Sequence, residues 1–181
     1  MAAYDARPAA DEYVPYFSRY IALVPDGDVV DQLEHQVEET RRMLDAIPSS
    51  HADHAYAPGK WTIKEVIGHL ADSERVFAYR ALRFARGDTT ELAPFDENAY
   101  VPAAAFGART LADIADEFVA VRRATVASLR GLPHDAWSRR GVAGGNAMSV
   151  RALAWTIAGH ELHHRALLVE RYGVGQLAGG A

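Results

Sequence analysis

Four long stretches of this chain repeat apolar residues every three or four positions and none alternates them every two, a pattern that commits it to helices packed on helices. The first stretch follows Asp26-Gly27-Asp28, carries Val29, Leu33, Val37, Thr40 and Leu44, and should end near Ala46 or Ile47, ahead of Pro48. The second opens at Thr62, whose hydroxyl can cap the first turn while Glu65 reaches back, and persists to Gly87-Asp88. A third starts after Thr110, runs through Leu111, Ile114, Phe118, Val121, Thr125 and Leu129, and closes at Gly131 and Pro133. Ser149 can cap the last, which extends to Tyr172 and stops at Gly173. Between the second and third, residues 89–108 hold Pro94, Pro102 and Gly107, a punctuation that predicts an irregular crossover. No run of alternating β-branched residues, and no Asn-Gly or Asp-Gly turn between two such runs, predicts a strand. The aromatic N-terminal segment, with Tyr13, Tyr16, Phe17, Tyr20 and Ile21, should pack as a short helix or ordered arm over the rest. The expected fold is all-α: an antiparallel four-helix bundle over residues 1–181, with a long connection between helices two and three.

Composition removes several function classes. No apolar run approaches the roughly 20 residues needed to cross a bilayer, and the N-terminus, with Asp5 and Arg7 among small residues, lacks a secretory apolar stretch, so a cytoplasmic address is the expectation. A net charge of -5 and the lack of basic clusters beyond pairs such as Arg41-Arg42 and Arg122-Arg123 argue against a nucleic-acid face. Those pairs read as solvated helix surface. With no cysteine, there are neither disulfides nor thiolate ligands, and any metal must sit on imidazoles and carboxylates.

The imidazoles are placed suggestively. In Gly159-His160-Glu161-Leu162-His163-His164, helical geometry puts His160 and His164 one turn apart within the apolar stripe of Val150, Leu153, Ala154, Ile157 and Leu168, with His163 at its edge. Two nitrogens at that spacing can share one cation. Burying both without a shared ligand would leave ring nitrogens to satisfy, at about 1–3 kcal/mol for each left unpaired. A further ligand should come from a facing helix, and His69, the only histidine of the second stretch, lies beside the stripe of Ile63, Val66, Ile67, Leu70, Phe77 and Ala81. His35, His51, His54 and His134 fall among charges, loops or turns and are poor candidates. Glu161 lies beside the pair, where it can take a proton from a bound water or orient an imidazole. Glu74 sits mid-stripe and needs a partner, for which a hydrogen bond to Tyr or Trp or a buried ion pair, with an arginine such as Arg80 or Arg83, is favoured over orienting a histidine.

The strings Tyr56-Ala57-Pro58-Gly59-Lys60-Trp61, Gly68-His69-Leu70, Phe77-Ala78-Tyr79-Arg80-Ala81-Leu82, Arg86-Gly87-Asp88, Gly159-His160-Glu161 and Glu170-Arg171-Tyr172 give the chain a resemblance, over nearly its whole length, to the DinB-like superfamily. The resemblance implies a four-helix bundle, often dimeric, with a metal triad of one histidine on the second helix and a pair spaced by four on the last, here His69, His160 and His164. It implies zinc or nickel as the cation and a small-molecule substrate, with a low-molecular-weight thiol as cosubstrate in a transferase or water as nucleophile in a hydrolase. Two other readings stand beside it. His160-Glu161-Leu162-His163-His164 matches the H-E-x-x-H pattern of zinc peptidases, although only 17 residues follow His164 and no strand precedes the motif to hold a peptide. The bundle can also be a non-catalytic, metal-stabilised binding or stress-response module.

Overall fold

A computed structural model describes residues 6–177. Nine regular elements beyond single 3-10 turns follow one another in this range: α1 (Ser18–Ile21), α2 (Val29–Asp45), α3 (Ile63–Ala85), α4 (Glu97–Ala104), α5 (Leu111–Arg130), β1 (Arg140–Ala143), β2 (Asn146–Ser149), α6 (Val150–Glu170) and α7 (Val174–Leu177). The four long helices α2, α3, α5 and α6 are those the periodicity predicts, and their N-termini are where the capping residues predict. Asp28 accepts from the amides of Val30 and Asp31, Thr62 and Glu65 form the reciprocal box, and Thr110 and Ser149 accept from Asp113 and Ala152. Each cap satisfies donors that the first turn leaves unpaired, worth about 1 kcal/mol apiece.

In the bundle, α3 packs on α5 and α6, and α2 packs on the same two helices. Their directions follow from the residues that meet. Arg41 pairs with Asp116 and Arg130 with Asp31 and Glu34, so α2 and α5 run antiparallel. His69 meets His160 and His164 while Tyr172 bonds the Trp61 carbonyl, so α3 and α6 are also antiparallel. Arg75 meets Glu117 whereas Ala81 and Leu82 meet Thr125, Ser128 and Leu129, which makes α3 and α5 parallel neighbours. The four-helix bundle is thus as expected, but not antiparallel throughout: a parallel pair needs a return connection, and this is why the chain between α3 and α5 is long.

That connection is more ordered than its prolines and glycine predict. Asp96 caps α4 through the Asn98 amide at 3.0 Å, and Pro102 in the second turn forgoes only one helical bond. The turn after α4 drives Phe106 onto α3 at Gly68, where any Cβ would lie 2.2 Å from the ring. The expectation of no strands is also corrected: β1 and β2 pair antiparallel around Gly144-Gly145, both at positive φ. Each strand has only four residues without β-branched alternation, and the Gly-Gly turn is their one sequence signal. Leu92 bonds to Val142 and Gly144 and thereby fastens the crossover to the hairpin.

The core divides into two apolar clusters. One gathers Leu33, Phe77, Val126, Trp155 and their neighbours, the other Val37, Ile67, Phe118, Leu168 and theirs. Between them, by position along α3, α5 and α6, lies a polar layer of Glu74, Arg122 and Glu161, joined from α2 by Thr40, all buried. Arg122 is fully enclosed, contrary to the reading of Arg122-Arg123 as solvated surface; Arg123 alone fits that reading. The spacing Phe118, Arg122, Thr125, Leu129 already places Arg122 on the apolar stripe of α5. No helix among the described residues is long and apolar enough to cross a membrane.

Candidate metal centre

The local sequence delivers three imidazoles to one point. On α6, His160 and His164 are one turn apart; on the antiparallel α3, His69 faces them. His69 Nε2 lies 3.2 Å from His160 Nε2, and His164 Nε2 lies 3.1 Å from the same atom. The three candidate ligand atoms all fall within 4.8 Å of one another, and all three residues are buried. Ligand nitrogens at about 2.0–2.1 Å from a common divalent ion would be about 2.8–3.4 Å apart at square to tetrahedral angles, a range that includes the spacing on either side of His160. Neutral imidazoles do not suit one another here: the single in-plane site of His160 Nε2 faces two ring nitrogens. A shared cation would accept all three lone pairs, so the residues fit the group.

The surroundings hold these rings neutral. Burial pushes His69 down to about 4 and His164, with help from the neighbouring histidines, to about 3. Burial likewise drives His160 well below its ordinary value. Deprotonated imidazole is the form that binds a metal. Ser73 Oγ stands 3.3 Å from His69 Nδ1, where accepting that N–H would leave Nε2 as the ligand atom. Aromatic rings close the site: Trp61 lies 4.8 Å from His69, and Tyr20 stands edge-on to His160 at 5.2 Å and to His163 at 5.4 Å. Gly159 permits that last contact, because a Cβ there would sit 2.0 Å from the Tyr20 carbonyl oxygen.

On one side the histidines open into a cavity of about 560 Å³. Its walls come from α1, α3, the crossover and the hairpin, with Tyr16, Arg19, Phe77, Arg80, Phe95 and Asn146 among them. The N-terminal arm, the crossover and the hairpin are therefore parts of the site. Sequence reasoning assigned no role there to Arg19 or Trp61, because residues from separate connections carry no shared spacing, nor to Arg80, although its spacing from His69 on α3 puts both on one helix face.

Glu161 is not brought to the imidazoles. Its Oε1 accepts from Thr40 Oγ1 at 2.5 Å and its Oε2 from Arg122 Nη1 at 2.6 Å. Arg122 Nε and Nη2 donate to Glu74 at 2.8–3.0 Å, and Nη1 also reaches the Leu33 carbonyl at 3.1 Å. Glu74 thus sits in the buried ion pair that its position requires, but its partner is Arg122 on the neighbouring helix rather than Arg80 or Arg83.

Fold and site together define a helical-bundle protein with a buried three-histidine cluster able to hold a metal ion. The chain belongs to the DinB superfamily, whose model matches residues 32–168. Among solved structures it is similar to YfiT from Bacillus subtilis, described as a probable metal-dependent hydrolase with an unusual four-helix bundle topology; identity is 18%, the TM-score 0.69, and coverage 98% of this chain and 95% of that one. It is also similar to a mycothiol-dependent maleylpyruvate isomerase, at 15% identity, TM-score 0.65 and coverage of 87% and 69%. A DinB-like protein from Bacillus cereus matches at 20% identity, TM-score 0.61 and coverage of 84% and 91%. None of the curated proteins matches.

Proposed function

We propose that the protein is a metal-dependent enzyme that binds zinc or nickel through His69, His160 and His164 and acts on a small molecule, as a thiol-dependent transferase or a hydrolase. The convergence of three buried Nε2 atoms at the mouth of a cavity carries this reading. A cation held by three neutral ligands keeps its charge and an open position, and can activate a thiol or a water and polarise a substrate. Two of the solved structures similar in fold support the reading, one described as a probable metal-dependent hydrolase and the other as a mycothiol-dependent maleylpyruvate isomerase.

The protein's own residues prepare the site. Trp61, Tyr20 and Phe77 exclude water from the rings and keep the local dielectric low, which strengthens any charge interaction there. Glu161 acts by position: bound to Thr40 of α2 and Arg122 of α5, it fixes the rotation of α6 and so the direction of the adjacent His160. This engagement weighs against a peptidase of H-E-x-x-H type, whose glutamate must reach the water it deprotonates.

Elemental mass spectrometry of untagged protein tests the reading. We expect about one metal ion per chain, almost none in a folded His160→Ala, His164→Ala double variant, and turnover by loaded protein of either a thiol with an electrophile or a hydrolysable ester. Protein that stays metal-free after reconstitution would overturn the proposal. Metal uptake without any such turnover would support the non-catalytic module instead.

A further inference from the structure

Six buried residues carry a formal charge besides the histidines: Glu12, Lys64, Glu74, Arg80, Arg122 and Glu161. Five are paired, Glu12 with Arg151, Lys64 with Asp53, and Glu74 and Glu161 with Arg122. Of these six, Arg80 alone has no ion pair, although it is only 9% exposed. One arm donates to the Ala93 carbonyl at 3.1 Å, and the guanidinium carbon lies 5.9 Å from the Phe77 ring. A guanidinium has five N–H donors, so most of its capacity is unused by the protein. Burial pushes its pKa down with no carboxylate to oppose the shift, yet arginine stays charged. An unpaired buried cation is costly and calls for a counter-charge.

That counter-charge has a place to sit. Arg80 lines the same cavity as the histidines, and His69, Ser73, Phe77 and Arg80 follow one another along a single face of α3. Phe77 stands between the two ends, 6.1 Å from the His160 ring. The cavity's other arginine, Arg19, is exposed and committed to phenols, lying over the Tyr16 and Tyr20 rings and donating to both hydroxyls. The acidic wall residue Glu97 is partly exposed and forms no ion pair with Arg80.

We propose that Arg80 is the anchor for a carboxylate of the substrate, which is therefore a small carboxylic acid lying along Phe77 with its reacting end at His69, His160 and His164. Planar, bidentate donation is what arginine offers a carboxylate, and the aromatic walls suit an apolar body between the two ends. The inference rests on the metalloenzyme reading for the reacting end, but the anchor itself is testable without a metal.

The probes are 4-phenylbutanoate and the uncharged 4-phenylbutan-1-ol, titrated calorimetrically into metal-free and metal-loaded protein. Metal-free wild type should favour the carboxylate by about ten- to a hundredfold, the range of a charge-assisted hydrogen bond, and Arg80→Gln should abolish that preference while leaving alcohol affinity and metal content unchanged. Glu97→Gln should strengthen carboxylate binding by removing a competing charge. If Arg80→Gln does not fold, Arg80→Lys decides, because it removes the bidentate fork and keeps the charge: a reduced preference supports the anchor and a preference equal to wild type overturns it. Equal binding of the two probes to wild type, or a preference that survives in Arg80→Gln, also overturns it. An Arg80-dependent preference in protein that takes up no metal would keep the anchor and sink the metalloenzyme reading, whereas metal uptake with no Arg80 dependence would do the reverse.

Discussion

Replacing Arg122 by methionine should be among the most damaging single changes outside the histidine cluster. The guanidinium is fully buried, and it is the ionic partner of two carboxylates that are themselves 3% and 0% exposed, Glu74 and Glu161. Methionine fills similar space, so the loss is electrostatic rather than a cavity and includes the guanidinium's place over the Phe118 ring. Removing one partner of a buried pair costs about 3–5 kcal/mol because the other charge is left uncompensated, and here two are left, so that range is a lower bound. Set against a total stability of about 5–15 kcal/mol for a domain, at least about a fifth of the fold's stability should go. Urea denaturation followed by far-UV circular dichroism at pH 7 measures it. A triple variant that adds Glu74→Gln and Glu161→Gln removes the stranded charges and should recover much of the loss. A loss below about 1 kcal/mol for Arg122→Met, the scale of an exposed pair, would refute the buried-network account.

Metal-free protein should lose stability as pH falls from 6.5 toward 4. His69 takes its proton near 6.5 when unfolded and only near 4 when folded, so acid favours the unfolded chain, by about 3 kcal/mol once both pKa values are passed. A flat stability profile between pH 7 and 4 would contradict the burial of that ring, and bound metal should move the decline according to its own affinity. Gly159→Ala should push α1 off α6, costing about 1–3 kcal/mol as overpacking does and exposing the bond after Arg19 to trypsin; unchanged stability and cleavage would show that the Tyr20 backbone can yield. The histidine double variant and the Arg80 titrations complete the set.

The four long helices were legible in the sequence because their causes are local. Thr62, Thr110 and Ser149 cap their own first turns, and apolar residues three and four apart make a stripe whatever the stripe later meets. The same locality brought His160 and His164 into register, one turn apart on one helix. That His69 faces them, and that its Nε2 stops 3.2 Å from His160, depends on α3 and α6 lying side by side and antiparallel, which no spacing within either helix contains. Tertiary structure also chose the partners of the buried charges: Glu74 announced that it needed one, but Arg122 was selected by the packing of α5 between α2 and α3. The cavity was decided there too, since Tyr20, Phe95 and Asn146 come from an arm, a crossover and a hairpin that share no sequence pattern and meet only where the bundle leaves room. Periodicity and caps act over one or two turns, whereas the convergence of side chains on a ligand depends on how whole helices cross.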